Sequence, residues 1–284
     1  MDQQGINDII KRNIDALPPL SPVIQKVMEI TYNPKSSAQD LADVITSDPI
    51  LSAKVLKMVN SAYFGGKQDF SSLKQTIVIL GTNAIKNIAL SSAVLSTLRG
   101  SKIAPISDED FWRYSFGVGI ASKAIASIAG VNRQQLEEFF VAGLIHDIGK
   151  ILLVHAFPND YKKILDMSKT SKFPITQIEK KILGVSHEEI GEGIGKKWGF
   201  DKGYLNAIGH HHVPVTEGEF SKYSMIVGVA SYMVSTMDIA SINCGYLEPL
   251  QEKVWSNLGI TQEQVVELLS SITEEIEKAK TFLD

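Results

Sequence analysis

Helix-capping residues stand ahead of one apolar run after another along this chain, and this pattern constrains the fold more than any other feature. Ser37 with Asp40 three residues later resembles a capping box, and Asp48 followed by Pro49 places proline in a first helical turn. The apolar residues behind these caps recur with a period near 3.6. Period-2 alternation is rare, and only the short β-branched run 77–80 could also form a strand. The sequence predicts an all-α fold.

The helical pattern is interrupted once, at residues 99–106, where glycine, serine and proline predict a linker. Residues 1–98 are expected to form an N-terminal helical sub-bundle. Residues 107–284 are expected to form a larger helical bundle with a C-terminal helical extension. The amphipathic segment 262–282 carries an apolar stripe that a single-chain bundle needs covered, so it is predicted to seal the bundle.

Composition excludes several classes of protein. The net charge of −4 and the pI near 5.9 give no basic face for nucleic acid. A single cysteine, Cys244, rules out a disulfide framework and favours a reducing compartment. The N-terminus lacks an apolar signal segment, and charge or glycine interrupts each apolar stretch before the roughly 18 residues that a membrane span needs. We therefore expect a cytoplasmic protein that binds neither nucleic acid nor membrane.

All six histidines lie between residues 146 and 212, and the first belongs to the pair His146-Asp147. Neutral imidazole is the commonest protein ligand for metals, and an adjacent carboxylate adds the negative charge that a divalent cation needs. Neighbours on a helix point about 100° apart, so both can face one cation only if the helix ends there, which Gly149 permits. Asn132 is predicted to cap the helix that leads to this end.

The later histidines are also predicted at helix ends. Ser186 caps a helix that begins with His187, and a run of three histidines precedes Pro214. An interhelical metal site in a bundle needs this placement. The candidate metal ligands on this basis are His146, Asp147, His187 and the run His210-His211-His212. The alternative is that these histidines are buried, hydrogen-bonded residues that cap helix C-termini, and for any one of them alone this alternative is the stronger.

Lys150 follows the His-Asp pair and has two interpretations that the sequence weighs equally. It is either a phosphate-binding side chain or a solvated lysine at a helix end, where the helix dipole favours a cation.

Several long motifs in a consistent order carry a resemblance to a known family. They are LPPLSPVIQKVMEI, LADVITSDPILSAKVLKMVNSAYF, QTIVILGTNAIKNIALS, FWRYS, AGLIHDIGK, SHEEIGEGIGKKWGF and IGHHHVP. Residues 17–214 resemble the HDOD (HD-related output) domain, a divergent branch of the HD superfamily, which also includes the HD-GYP phosphodiesterases. The resemblance implies an HD-domain-like helical bundle with an additional N-terminal helical sub-bundle. It also implies a non-catalytic role in bacterial signalling.

The chain departs from the pattern of active HD enzymes at two ligand positions. The resemblance implies a histidine where FWRYS has Tyr114, and an aspartate where a later helix has Ser231. No Gly-Tyr-Pro signature follows the paired histidines. The positions that still match the pattern, and that the resemblance implies as candidate metal ligands, are His146, Asp147, His187, His211 and His212. This set offers one carboxylate, Asp147, which cannot offset two divalent cations in a hydrolytic centre. No cofactor is required on this basis, while one divalent ion (Fe, Mn, Zn or Ni) with a structural or vestigial role stays open.

The sequence thus leads to two functional hypotheses. The first is a non-catalytic HDOD signalling or regulatory module in bacterial signal transduction, whose degenerate HD cleft is reused for binding or scaffolding. Its expected partner is an unidentified protein of a signalling pathway, with a nucleotide or phosphate as a further candidate ligand. The alternative is a residual metal-dependent phosphohydrolase or phosphodiesterase acting on a nucleotide or phosphoester. The missing ligands at Tyr114 and Ser231 count against the enzyme.

Overall fold

The computed structural model describes residues 2–32, 36–60, 70, 72–98, 105–237 and 245–283, without the side chains of 31–32 and 277–283. Every regular element in these ranges is a helix, which confirms the predicted all-α fold, and the doubtful run 77–80 is helical. The helices are α1 (Gln3–Ala16), α2 (Pro22–Tyr32), α3 (Ala38–Thr46), α4 (Pro49–Val59), α5 (Leu73–Leu80), α6 (Thr82–Leu98), α7 (Asp108–Ile128), α8 (Leu136–Ile145), α9 (Ile148–Ala156), α10 (Pro158–Thr170), α11 (Ile175–Leu183), α12 (His187–Trp198), α13 (Lys202–His210), α14 (Ser221–Ser235), α15 (Glu252–Leu258) and α16 (Gln262–Leu283).

Local sequence signals fix many of the helix ends. The capping box of Ser37 and Asp40 forms at α3, and Asp48 accepts two backbone N–H groups at the start of α4. Gly130 adopts a positive φ of 72° behind α7, as expected for a residue that ends a helix. Asn132 caps a short 3₁₀ turn, Arg133–Gln135, which leads into α8. These confirmed signals explain why the helix order was predictable.

Helix α6 joins the N-terminal helices to the rest of the protein. Helices α2 to α5 pack around one side of α6, and another side of α6 packs on α8. At this junction Tyr204 of α13 donates a hydrogen bond to Asn87 Oδ1 of α6 at 2.8 Å. The predicted linker at 99–106 lies largely outside the described residues, so the domain boundary at Leu98 stays a prediction.

Helix α1 lies against the C-terminal bundle although it precedes residue 98. It packs on α9 and α12, where Ile6 and Ile10 are buried. Lys197 Nζ donates hydrogen bonds to three carbonyl oxygens at the end of α1, and Trp198 Nε1 donates to the carbonyl of Pro18. These contacts satisfy carbonyls that a helix end leaves without partners. They fix α1 over the helices that lead to the histidines.

The core of the C-terminal bundle is built around α7, which packs against α8, α14 and α16. Val265, Ile272 and Ile276 of α16 are buried, which confirms the prediction that this segment seals the bundle. Among the described residues, one stretch, Arg133–Ala156, is long and apolar enough by composition to cross a membrane. Because 89% of its most apolar window is buried inside the protein, its apolar surface is covered by core packing.

The helix that leads to His146-Asp147 ends at this pair, as predicted, but the next helix follows at once, which was not predicted. Helix α8 ends at Ile145 and α9 begins at Ile148, so the pair forms a two-residue turn between two helices. The interpretation of Gly149 as a helix end is wrong, because it lies in the first turn of α9. A Cβ atom there would stand 2.0 Å from the carbonyl oxygen of His187 and 2.6 Å from the backbone nitrogen of Gly191. Glycine is required because α9 and α12 meet backbone to backbone.

We expect Gly149→Ala to destabilise the protein by about 3 kcal/mol, since the added methyl group meets backbone atoms that cannot rotate away. Gly209→Ala on α13 is the matched control, because the nearest atom to its added Cβ is 3.8 Å away. Alanine is the better helix former, so the control should change stability by less than about 1 kcal/mol and in the favourable direction. Urea unfolding of both variants checks this, and equal stabilities would contradict the close contact.

Candidate metal centre

Five predicted ligands meet at the junction of four helices in the C-terminal bundle. The turn between α8 and α9 supplies His146 and Asp147, the first residue of α12 is His187, and the end of α13 supplies His211 and His212. The first three are 0% exposed, His211 is 2% exposed and His212 is partly buried. We call this group the His-Asp cluster. The other two histidines, at positions 155 and 210, are exposed and lie outside it.

Three ligand atoms of the cluster form a nearly equilateral triangle. Asp147 Oδ1 lies 3.2 Å from His187 Nε2 and 3.5 Å from His211 Nε2, and the two nitrogen atoms are 3.3 Å apart. With His212 included, one ligand atom from each of the four residues lies within 4.8 Å of the others. The other carboxylate oxygen, Asp147 Oδ2, lies outside the triangle and is 3.4 Å from His146 Nε2. The structure therefore brings the predicted residues together, while their role as ligands stays a prediction.

Hydrogen bonds at Nδ1 set the orientation of three imidazole rings. The Nδ1 atom of His146 lies 2.6 Å from the Gly143 carbonyl oxygen, that of His211 lies 3.1 Å from the Ile208 carbonyl oxygen, and that of His187 lies 2.7 Å from a carboxylate. All three partners are acceptors, so each Nδ1 carries the proton. Once deprotonated at Nε2, each ring therefore directs an Nε2 lone pair towards the centre of the cluster.

The carboxylate behind His187 belongs to Glu179 of α11, a residue that the sequence analysis missed. It is 0% exposed, and its Oε2 also accepts the backbone N–H of His187 at 2.9 Å. Tyr161 donates a hydrogen bond to Oε1 at 2.7 Å. A carboxylate in this position orients a metal-binding histidine and raises its basicity. One sequence signal could have revealed its burial. Glu179 follows Ile175 by four residues, which places a charged side chain on the apolar face of α11.

Lys150 is neither solvated nor at the C-terminal end of a helix, so that interpretation is wrong. It stands in the first turn of α9, is 1% exposed, and its Nζ lies 2.7 Å from Asp147 Oδ2. Burial alone would lower the pKa of Lys150, but the Asp147 carboxylate raises it, so the ammonium is retained. Asp147 thus already has one cationic partner from the protein. A phosphate-binding role for Lys150 stays a prediction.

The charges inside the cluster compensate one another. Burial alone would raise the pKa of Asp147, yet Lys150 beside it and hydrogen bonds from His187 and His211 hold this pKa well below its usual range. Burial alone would lower the pKa of His187, but Glu179 raises it to about 9. Burial lowers the pKa of His146 to about 3, so this ring is neutral. Without a metal, Lys150 and protonated His187 therefore balance Asp147 and Glu179.

Tyr114 and Ser231, the two departures from the ligand pattern, contact each other. The Tyr114 hydroxyl lies 2.9 Å from Ser231 Oγ and 3.0 Å from Ser235 Oγ. Burial raises the pKa of Tyr114, which keeps the phenol neutral and makes it a poor metal ligand. Its ring centre is 5.8 Å from that of His146. A neutral hydrogen-bonded pair therefore stands where the family resemblance implied a histidine and an aspartate.

The cluster fits one metal ion. Ligands about 2.0–2.1 Å from a tetrahedral zinc ion are separated by about 3.3–3.4 Å, which is the spacing of the triangle around Asp147 Oδ1. His146 Nε2 and His212 Nε2 have no hydrogen-bond partner among the described residues. Asp147 Oδ1 faces the Nε2 atoms of His187 and His211, so a cation at this point would satisfy several lone pairs at once. A second ion does not fit, because Asp147 is the one carboxylate inside the cluster and Lys150 already binds its other oxygen.

Access to the cluster from solvent is narrow. A pocket of about 40 Å³ reaches His211 and His212 between α14 and the segment before α15, with Ser231 and Tyr246 in its wall. Its described lining contains no lysine or arginine. Pockets for drug-sized ligands usually measure about 300 Å³ or more. The described pocket therefore suits an ion or a water molecule and not a nucleotide.

The helical topology and the His-Asp cluster together define an HD-like α-helical protein. The model of the HDOD domain matches residues 17–214. The chain belongs to the HDOD domain family. This confirms the family resemblance seen in the sequence motifs.

Known proteins that resemble this chain are distant in sequence. An uncharacterized protein from Treponema pallidum (strain Nichols) is 22% identical over 233 residues, and the match covers 81% of this chain but 44% of that protein. The chain thus spans less than half of the length of this curated relative.

Three solved structures share the fold. An HDOD domain protein of unknown function from Geobacter sulfurreducens has a TM-score of 0.79 at 21% identity, covering 98% of both chains. A candidate signal transduction protein from Marinobacter aquaeolei VT8 has a TM-score of 0.77 at 21% identity, covering 99% of this chain and 66% of that one. A candidate phosphohydrolase from Shewanella amazonensis SB2B has a TM-score of 0.75 at 22% identity, covering 97% of this chain and 98% of that one. At these identities the likeness establishes the fold alone.

We expect Glu179→Gln to destabilise the metal-free protein in a pH-dependent manner. Because Glu179 raises the pKa of His187 from 6.5 to about 9, the stabilisation from this pair is fully present below pH 6.5 and is lost as the pH rises through 9. The loss should be roughly 3 kcal/mol near pH 6 and clearly smaller near pH 10. Urea unfolding with a chelator at both pH values measures it.

The control for this experiment is Glu192→Gln on α12, whose carboxylate is 35% exposed and pairs with Lys196. Exposed pairs contribute little, so this variant should stay within about 1 kcal/mol of the parent at both pH values. An equal loss for Glu179→Gln at the two pH values would contradict the raised pKa of His187.

Proposed function

We propose that this protein is a non-catalytic HDOD module of bacterial signal transduction, in which the His-Asp cluster binds one divalent ion as a structural element. The observation that carries the proposal is the burial of the cluster behind Tyr114 and Ser231. The residues that form its centre are at most 2% exposed, and the pocket that reaches them measures about 40 Å³. A substrate must reach a metal with an open coordination position, and this arrangement leaves no room for one.

The ion would be held by Asp147, His187, His211 and His212, with His146 adjoining. A bound divalent ion supplies positive charge to the converging lone pairs and displaces the proton of His187. Glu179 keeps the His187 ring in position, and Lys150 neutralises the oxygen of Asp147 that faces away from the three-ligand triangle. Together these residues tie the α8–α9 turn to α12 and α13. The cluster would then fix the relative positions of these helices.

The signalling role is supported by membership in the HDOD family and by the name of the Marinobacter protein. We propose a protein of a signalling pathway as the partner and the cytoplasm as the compartment. A nucleotide or phosphate ligand has less support, because the pocket at the histidines has no described basic lining and Lys150 is already bonded to Asp147.

A residual metal-dependent phosphohydrolase is the second candidate, favoured by the converging ligand atoms and by the name of the Shewanella protein. Two features weigh against it. The cluster fits one ion where a two-metal displacement needs two, and Lys150 bonds the oxygen of Asp147 that would have to bridge them.

We expect the purified protein to bind one equivalent of Zn²⁺, measured by competition with a chromophoric chelator at neutral pH and by elemental analysis. Asp147→Asn should weaken binding by roughly a hundredfold or more, because it removes the charged ligand at the centre of the triangle. His212→Ala gives a second test at a partly buried position, in case the Asp147 variant folds poorly. Asp160→Asn, at an exposed surface pair, is the matched control and should bind as the parent does. Equal affinity for all four proteins would rule out the cluster as the zinc site.

We expect no hydrolysis of cyclic dinucleotides or of bis(p-nitrophenyl) phosphate above background, with or without added manganese, iron or zinc. The physical reason is that water activation needs an accessible ion with an open coordination position. Turnover that depends on added metal and disappears in Asp147→Ala would overturn the non-catalytic proposal and establish the hydrolase instead.

A further inference from the structure

His187 is supported differently from the other two oriented rings of the His-Asp cluster. His146 and His211 follow their helices, so a carbonyl oxygen three residues earlier accepts the Nδ1 hydrogen of each ring. His187 is the first residue of α12, so no preceding turn of its own helix can offer such a carbonyl. The acceptor has to come from another part of the fold, and Glu179 of α11 supplies it.

Glu179 needs support of its own, because a carboxylate turns easily about the last bond of its side chain. Its Oε2 accepts the backbone N–H of His187 at 2.9 Å and lies 2.7 Å from the Nδ1 of the same residue. Both of these bonds reach one oxygen, so by themselves they leave the carboxylate plane free to tilt. The other oxygen, Oε1, accepts the hydroxyl of Tyr161 at 2.7 Å, and this third bond fixes the plane.

Tyr161 reaches Glu179 from the first turn of α10, and its side chain is 0% exposed. Burial and the charge of Glu179 raise the pKa of this phenol well above its usual range, so the hydroxyl keeps its proton and acts as a donor. A hydrogen bond to a charged acceptor is stronger than one between neutral groups. Tyr161, Glu179 and His187 therefore form a chain of hydrogen bonds that runs from α10 through α11 to α12.

We propose that Tyr161 is a positioning residue of the metal centre, which acts on His187 through Glu179. The hydroxyl fixes the carboxylate, and the carboxylate fixes the imidazole ring and increases the basicity of the Nε2 atom that faces the ion. The inference rests on the metal binding proposed above and deepens it. It adds α10, a helix that carries no candidate ligand, to the elements on which the affinity for the ion depends.

A buried tyrosine outside this chain of hydrogen bonds provides a matched control. Tyr204 is 2% exposed, and its hydroxyl donates to the neutral side chain of Asn87 at 2.8 Å. Tyr161→Phe and Tyr204→Phe each remove one buried hydroxyl and keep the ring. Because α13 carries both Tyr204 and His211, a general disturbance of packing would affect the zinc site in this control at least as strongly.

The first measurement is the affinity for Zn²⁺, by competition with a chromophoric chelator. Tyr161→Phe should weaken binding roughly tenfold, the lower end of the effect of losing an outer partner of a ligand, whereas Tyr204→Phe should bind as the parent does. In a Glu179→Ala background the Tyr161 change should alter affinity by less than about twofold, because the connection is already broken. Equal losses for the two tyrosine variants would overturn the inference, and so would a full tenfold loss in the Glu179→Ala background.

The second measurement uses the metal-free protein, with a chelator present and histidine labelled with ¹⁵N. The rate at which the Nδ1 proton of His187 exchanges with water reports how firmly Glu179 holds the ring. Tyr161→Phe should accelerate this exchange at least about tenfold, and Tyr204→Phe should leave it unchanged. Unchanged exchange in Tyr161→Phe would overturn the inference even where zinc binds as expected. If the parent binds no zinc, the proposed function fails by the first measurement, and the exchange rate still decides whether Tyr161 positions His187.

Discussion

A fully buried carboxylate, Asp147, is the constraint on which the centre of this protein depends. An uncompensated charge in a protein interior costs several kcal/mol, so its partners must be supplied by the fold. Lys150 binds one oxygen, and His187 and His211 approach the other. The helices α9, α12 and α13 each bring one of these groups. The backbone contact at Gly149 lets α9 and α12 approach closely enough for Lys150 and His187 to reach the same carboxylate. Helix packing and the compensation of the Asp147 charge therefore require the same arrangement of α9, α12 and α13.

The fold was largely predictable because its signals are local. Caps such as Ser37, the proline in the first turn of α4 and the glycine behind α7 act within a few residues, and the structure confirms them. The end of α8 at His146-Asp147 was predicted, whereas the start of α9 at Ile148 was not, since a glycine at 149 favours a helix end when it is considered by sequence alone. The reason for Gly149 lies in a second helix, about forty residues away in the sequence, and no spacing rule reveals it.

The candidate site was predictable in its residues and not in its electrostatics. Histidine is rare and clustered here, so its positions pointed to this region, and the family resemblance selected the five candidates from it. Lys150 was open between two interpretations because burial decides its role, and its burial follows from the packing of α1 and α12 on α9, which are distant in sequence. Glu179 was missed for the same reason: its partner His187 comes from another helix. Charged residues on the apolar face of an amphipathic helix are therefore the ones to examine first in such a chain.

The contact between Tyr114 and Ser231 couples the two positions. A histidine at 114 alone would meet a neutral serine, and an aspartate at 231 alone would place a buried carboxylate against a phenol. Each single change therefore leaves a polar group without its proper partner, while the double change supplies both partners together. An attempt to engineer ligands into this part of the protein has to treat the pair as one unit.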